Sequence, residues 1–207
     1  MSSSDRNILF LPGATGDDAF WQGVGRLLPE QWRKHYLSWP GLGMQAPSPN
    51  INSFSDLLDM VEHRLTVPSI IVAQSMGGVL AVQLALKRPE LVTQLVMVAT
   101  SGGLDVSAFG ASDWRLEFLA AYPNTAPWLF SEKIDLTSRF ANLAVPTLLI
   151  WGDADPISPV AVGRHLASVI PRSELAVISG GGHSMGAELP HLVAPLIEAH
   201  ILKTDIS

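Results

Sequence analysis

The feature that most narrows the fold of this chain is a series of short apolar runs, rich in β-branched residues, recurring between longer stretches of helical spacing. Six such runs stand out, at 8–11, 35–39, 69–74, 95–100, 147–151 and 174–178. Most lack the polar alternation of a half-buried strand, which is the pattern of strands covered on both faces. Repeated βα units around a mostly parallel sheet of about six strands are therefore expected, with helices on two sides.

Helical spacing supplies the crossovers. It appears at Phe54, Leu57, Leu58, Val61 and Leu65, at Val79, Val82, Gln83 and Leu86, at Val162, Leu166 and Val169, and at Leu189, Leu192, Val193, Leu196 and Ile197, with a weaker pattern over 19–28. Pro195 falls inside the last pattern and should kink or delay that helix. The segment 101–146 breaks the rhythm, being much longer than one crossover needs. There Trp114, Phe118 and Tyr122 fall at i, i+4 and i+8 on one helical stripe. The segment is either a helix packing that stripe onto the sheet or a small lid over a substrate pocket, for which Trp114, Phe118 and Trp128 are the candidate lining residues. With no repeat, low-complexity tract or linker, residues 1–207 are expected to form one domain.

Composition excludes several function classes. Hydrophobic residues make up 47% and charged residues 15% of the chain, which argues for a filled core over disorder. A net charge of -6 without any Lys/Arg cluster disfavours a nucleic-acid partner. The absence of cysteine removes disulfides, thiolate metal sites and cysteine nucleophiles, so a covalent catalyst must be an oxygen or nitrogen nucleophile. No signal pattern opens the sequence and no apolar run reaches the length of a membrane span, so a cytoplasmic protein without a membrane partner is expected.

The candidate nucleophile is Ser75. The apolar run 69–74 leads into Ala73-Gln74-Ser75-Met76-Gly77-Gly78, and helical spacing starts at once with Val79. A sharp strand-to-helix turn brings strand and helix close, so the positions two removed from its centre must be small; Ala73 and Gly77 meet that demand. Because a helix begins beside the serine, the Met76 N–H is an unpaired donor at a positive dipole end, suited to an oxyanion. Histidine is the side chain suited to accept the serine proton near neutrality. Of six candidates, His183 sits in a glycine-rich loop, Ser179-Gly180-Gly181-Gly182-His183, after the last strand, where ligands of open parallel sheets bind. The others fall in helical patterns or, for His35, at a strand start, and are better read as surface or packing residues.

The segment around Ser75 resembles the nucleophile elbow of the α/β-hydrolase superfamily, small-x-Ser-x-small, with Ala73 in place of the commoner first glycine. In that family the acid lies between the serine and the histidine in the chain. The family pattern of a strand, Gly-x-x-Asp and a following proline maps the acid onto Asp155, in Gly152-Asp153-Ala154-Asp155-Pro156, with Asp153 as the fallback. The resemblance also implies a backbone N–H donor for the oxyanion from Ala14, in the turn Pro12-Gly13-Ala14-Thr15-Gly16. Trp39-Pro40-Gly41-Leu42-Gly43 resembles the family's Asp-x-x-Gly-x-Gly turn, with Trp39 at or near the aspartate position. Only seven residues precede the first apolar run, so the antiparallel hairpin that many members carry first is expected to be missing.

The implied activity is hydrolysis of a small carboxylic ester through an acyl-enzyme, with Ser75, His183 and Asp155 as triad and no metal or organic cofactor. Thioesterase, lactonase, carbon–carbon bond hydrolase and cofactor-free haloperoxidase activities are found on the same scaffold. It also serves non-catalytic ligand-binding proteins.

Overall fold

The computed structural model describes residues 6–203. Strands β1 (Asn7–Leu11), β2 (Arg33–Tyr36), β3 (Ser69–Gln74), β4 (Val92–Val98), β5 (Thr147–Gly152) and β6 (Ser173–Ile178) form one sheet in the order β2-β1-β3-β4-β5-β6. Every neighbouring pair is parallel. The helices are α1 (Gln22–Leu27), α2 (Phe54–Arg64), α3 (Met76–Lys87), α4 (Arg115–Ala121), α5 (Trp128–Ser131), α6 (Val160–Val169), α7 (Met185–Glu188) and α8 (Pro190–Lys203).

Unbroken apolar runs follow from burial on both faces. Along β1, Leu9 and Leu11 enter one core while Ile8 and Phe10 enter the other, and β3, β4 and β5 divide their residues the same way. The first core takes Leu57 of α2, Leu80 of α3 and Leu166 of α6; the second takes Val24 of α1 and Ile197 of α8. The strand β3 coincides with its apolar run, since all six of its residues are buried.

Several expected elements differ, and the fourth strand spans Val92–Val98 rather than 95–100. The second strand ends at Tyr36 rather than at Trp39. As the edge of the sheet, β2 exposes Arg33 and His35; Leu37 and Trp39 lie beyond its ladder with β1, packed into the core. The last helix runs through Pro195 and is not delayed by it, for it starts at Pro190. Pro195 is exposed, so the helix carbonyl it leaves unpaired can be met by water. The segment 101–146 forms no long crossover helix but short helical pieces: α4, α5 and tighter 3₁₀ turns at Ser107–Phe109 and Thr137–Asn142, one and two turns long. None of the α4 residues is buried, whereas Phe140, in the last of these turns, is fully buried in the first core.

This topology prepares one crevice. From β1 the chain moves outward to β2 and then returns across β1 to β3, so the loops leaving β1 and β3 diverge at a switch point, where open sheets bind ligands. The turn after β3 holds Ser75 at φ 50° and ψ -122°, a conformation that costs a side-chain-bearing residue about 1–3 kcal/mol. Hydrogen bonds oppose that cost: the Ser75 N–H donates to the Val98 carbonyl at 3.1 Å, and the Ser75 carbonyl accepts from the Gly78 N–H at 2.9 Å. The Thr100 hydroxyl donates to the same carbonyl at 2.5 Å and accepts from the Gly102 N–H at 3.0 Å. A side chain at Gly77 would put its Cβ 2.4 Å from the Pro12 carbonyl oxygen.

Replacing Thr100 by the near-isosteric valine removes one of the bonds holding the elbow and leaves the Gly102 N–H buried without its acceptor. A loss of about 1–3 kcal/mol in unfolding free energy is expected, measured by urea titration. Elsewhere, burial on α8 holds the His200 imidazole below its ordinary value, and Lys203 acts in the same direction, while a hydrogen bond with the Pro146 backbone and the Glu174 charge oppose them. The unfolded chain therefore takes up this proton first. The contribution is fully present above the unfolded value, about pH 6.5, and is lost as the pH falls from there toward the lower folded value. A His200→Gln protein should show a shallower decline in urea midpoint between pH 7 and pH 5 than the wild type.

Candidate active site

Three side chains from distant parts of the chain meet above the carboxyl ends of β3, β5 and β6. His183 Nε2 lies 2.9 Å from Ser75 Oγ, and His183 Nδ1 lies 2.8 Å from Asp155 Oδ2. A carboxylate can only accept, so Nδ1 donates and Nε2 is left to accept from the hydroxyl. The other Asp155 oxygen, Oδ1, accepts from the backbone N–H groups of Ile157 at 2.8 Å and Ser158 at 3.0 Å. These bonds fix the carboxylate with Oδ2 turned to the imidazole. The Asp155 side chain is inaccessible to solvent while His183 keeps 19% of its side-chain surface, so the acid is closed off and the base faces the crevice.

Asp153 has a different place. Its Oδ1 accepts from the Gly180 N–H at 2.6 Å, and the His183 ring is hydrogen-bonded to Asp155 and Ser75 instead. The bond belongs to a seam between the loops after β5 and β6. Asp153 N–H donates to the Ile178 carbonyl at 3.2 Å and Ala154 N–H to the Gly181 carbonyl at 3.1 Å. At this seam a Cβ on Gly152 would fall 2.0 Å from the Gly181 carbonyl oxygen. Gly152, facing Gly181 whose own Cβ would lie 3.1 Å from the Gly152 Cα, thus lets two backbones approach closely enough for the acid and the base to meet. Gln74 joins a further piece, its Nε2 donating to the His183 carbonyl at 3.1 Å.

The loop after β1 is fixed by two buried indoles. Trp21 Nε1 donates to the Leu11 carbonyl at 2.9 Å, and Trp39 Nε1 donates to the Pro12 carbonyl at 3.0 Å. The tryptophan near the family's aspartate position therefore anchors the Gly13–Ala14 turn. Met76 opens α3 beside Ser75, and Ala14 borders the crevice. No hydrogen bond engages the backbone N–H of either one among the described residues.

A cavity of about 220 Å³ lies over Ser75 and His183. Its walls include Ala14, Trp114 and Phe118, and also Phe20, Glu117 and Ile157, for which no sequence signal was found. Ile157 could have been located from its place two residues after Asp155, whose carboxylate its N–H binds. The Trp114, Phe118 and Tyr122 stripe is continuous, with ring centroids 5.3 Å apart for the first pair and 4.8 Å for the second. Trp128 lies elsewhere: it packs edge-on against Phe54 of α2 at 5.4 Å and does not line the cavity. Among the described residues, no helix is long and apolar enough to cross a membrane.

Residues 6–134 match the family model described as alpha/beta hydrolase fold. The pimeloyl-[acyl-carrier protein] methyl ester esterase of Nitrosomonas europaea is 23% identical over 93% of this chain and 94% of its own length. A 2-hydroxy-6-oxononadienedioate/2-hydroxy-6-oxononatrienedioate hydrolase of Cupriavidus pinatubonensis is 26% identical over 83% of this chain and 77% of its own. Among solved structures, a thermophilic esterase from Thermogutta terrifontis superposes with a TM-score of 0.76 at 22% identity, covering 96% of this chain and 90% of that one. A putative lipase from Acinetobacter baumannii gives a TM-score of 0.80 at 22% identity, covering 99% and 86%. With its parallel six-stranded sheet and a family match over well more than half its length, the chain belongs to the α/β hydrolase fold family.

Proposed function

We propose that the protein is a serine hydrolase that cleaves a small, uncharged carboxylic ester through an acyl-enzyme intermediate. The observation that carries this reading is the unbroken hydrogen-bonded line from Ser75 through His183 to Asp155. In the first half-reaction Ser75 Oγ attacks the acyl carbon as His183 Nε2 takes its proton. Asp155 holds the imidazole in the required tautomer and stabilises the cation that forms. The Met76 and Ala14 N–H groups receive the negative oxygen, a role that favours preorganised donors at a helix start. Collapse of this intermediate breaks the ester bond, and the leaving alkoxide takes the proton from His183. Water then attacks the acyl carbon as the same nitrogen takes its proton; the bond from the acyl carbon to Ser75 Oγ breaks, the proton passes from His183 to that oxygen, and the acid leaves.

Glu117 on the cavity wall, with no Lys or Arg lining it, favours an uncharged substrate over one carrying a carboxylate. The esterases among the similar proteins agree with an ester. In this reading α4 and its aromatic stripe act as a small lid that excludes water from the acyl group.

The chemistry is tested at two levels. A fluorophosphonate probe should label Ser75 in the wild-type protein, and Ser75→Ala should lower turnover of p-nitrophenyl butyrate by about a millionfold. An unlabelled serine with no ester turned over would point to a ligand-binding member of the fold. Asp155→Asn should cost about four orders of magnitude in kcat, the size expected when the tautomer-setting acid is lost. Asp153→Asn, whose partner is a backbone N–H, should cost far less. Equal losses in the two variants would refute the assignment of the acid.

A further inference from the structure

We infer that Phe20 is the residue that limits the length of the substrate chain, closing the cavity over Ser75 off from a second cleft available for longer uncharged chains; this rests on the serine-hydrolase reading. The second cleft, of about 340 Å³, is lined by Ala19, Met44, Gln45, Tyr122 and Ala187. Phe20 and Thr15 border both spaces, so they form the partition between them. The inner space of about 220 Å³ is smaller than the outer cleft and suits a short acyl group. A longer chain that enters the second cleft crosses this partition.

The phenyl ring is seated on both sides. It meets Trp21 edge-on, with centroids 5.0 Å apart and planes at 84°. A Cβ on Gly186 of α7 would lie 2.8 Å from Phe20 Cε1, so the ring rests directly on that glycine. Trp21 is itself fully buried and bonded to the Leu11 carbonyl. The helical turn Asp18–Trp21 that carries the ring is capped by Asp17, whose Oδ1 accepts from the Ala19 N–H at 2.9 Å. Phe20 is thus a fixed wall and not a freely swinging side chain.

Charge defines the chain that could cross. Asp17 borders the outer cleft and Glu117 the inner cavity, and neither wall has a Lys or Arg. Met44, 81% exposed, and Tyr122 supply apolar surface in the outer cleft. The chemistry of the two spaces accommodates an alkyl or aryl chain and works against a terminal carboxylate or phosphate.

The test compares kcat/KM for p-nitrophenyl butyrate and decanoate in the wild type and in Phe20→Ala and Phe20→Trp. In Phe20→Ala the decanoate-to-butyrate ratio should rise by about tenfold or more, and in Phe20→Trp, which keeps the partition, it should stay within about twofold or fall, since each accommodated methylene alters kcat/KM appreciably. Where Phe20→Ala does not fold, Phe20→Leu replaces it and the ratio should rise in the same direction. An unchanged ratio in a truncated variant whose Ser75 still takes the fluorophosphonate label overturns the proposal and leaves the serine hydrolase standing. A wild-type protein that neither labels nor hydrolyses either ester sinks both together.

Discussion

A serine held at φ 50° between a strand and a helix is the constraint on which the rest of this structure turns. Such a backbone persists only where its surroundings leave it no cheaper conformation. Here the sheet supplies that enclosure. The strand before the serine is buried throughout, α3 is buried along most of its length, and the loop from β1 passes so near that Gly77 has no room for a side chain. The Thr100 hydroxyl ties the turn to the loop after β4, where Ala99 is the other non-glycine residue with a positive φ, 46°, among the described residues. Packing energy from two hydrophobic cores is in this way converted into the orientation of one hydroxyl.

The same enclosure explains what could be read from the residues. Strand β3 was legible to the residue because a strand covered on both faces leaves an unbroken apolar run that ends at a turn with strict size limits. Strand β2 was misplaced because an edge strand carries exposed polar residues, and its neighbours Leu37 and Trp39 owe their hydrophobic character to the core beneath the following loop. Ser75 and His183 were marked by local chemistry around a strand end, and Asp155 by the resemblance to the family's acid turn; their meeting depends on strand order, which short-range patterns do not encode. The cavity wall was less legible. Aromatic spacing identified the stripe that includes Trp114 and Phe118, but nothing in the sequence distinguished these rings from Trp128, whose direction is set by contact with Phe54 of a distant helix. Phe20 was hidden in a weak helical pattern that folds as a single turn before α1.

Two parts of the site have different mechanical characters. The nucleophile turn and the loop after β1 lie against the buried sheet, the first held by Val98 and Thr100 and the second by the indoles of Trp21 and Trp39. By contrast, α4 has no buried residue, and Leu116 on its outer side is 79% exposed. Few buried contacts mark a region that opens at low free energy. The reacting groups proposed here therefore sit on the rigid side of the cavity, and Trp114, Glu117 and Phe118 on its more adaptable side.

The crossing of Gly152 and Gly181 bears on how this architecture could change over generations. Where two side chains collide, shrinking one can rescue growth of the other. At this crossing a side chain on Gly152 would meet backbone, and the residue opposite already has nothing to give up. No single exchange elsewhere in the contact can compensate, so Gly152 is a position at which the acid and base loops can diverge only by insertion, deletion or rerouting of the main chain.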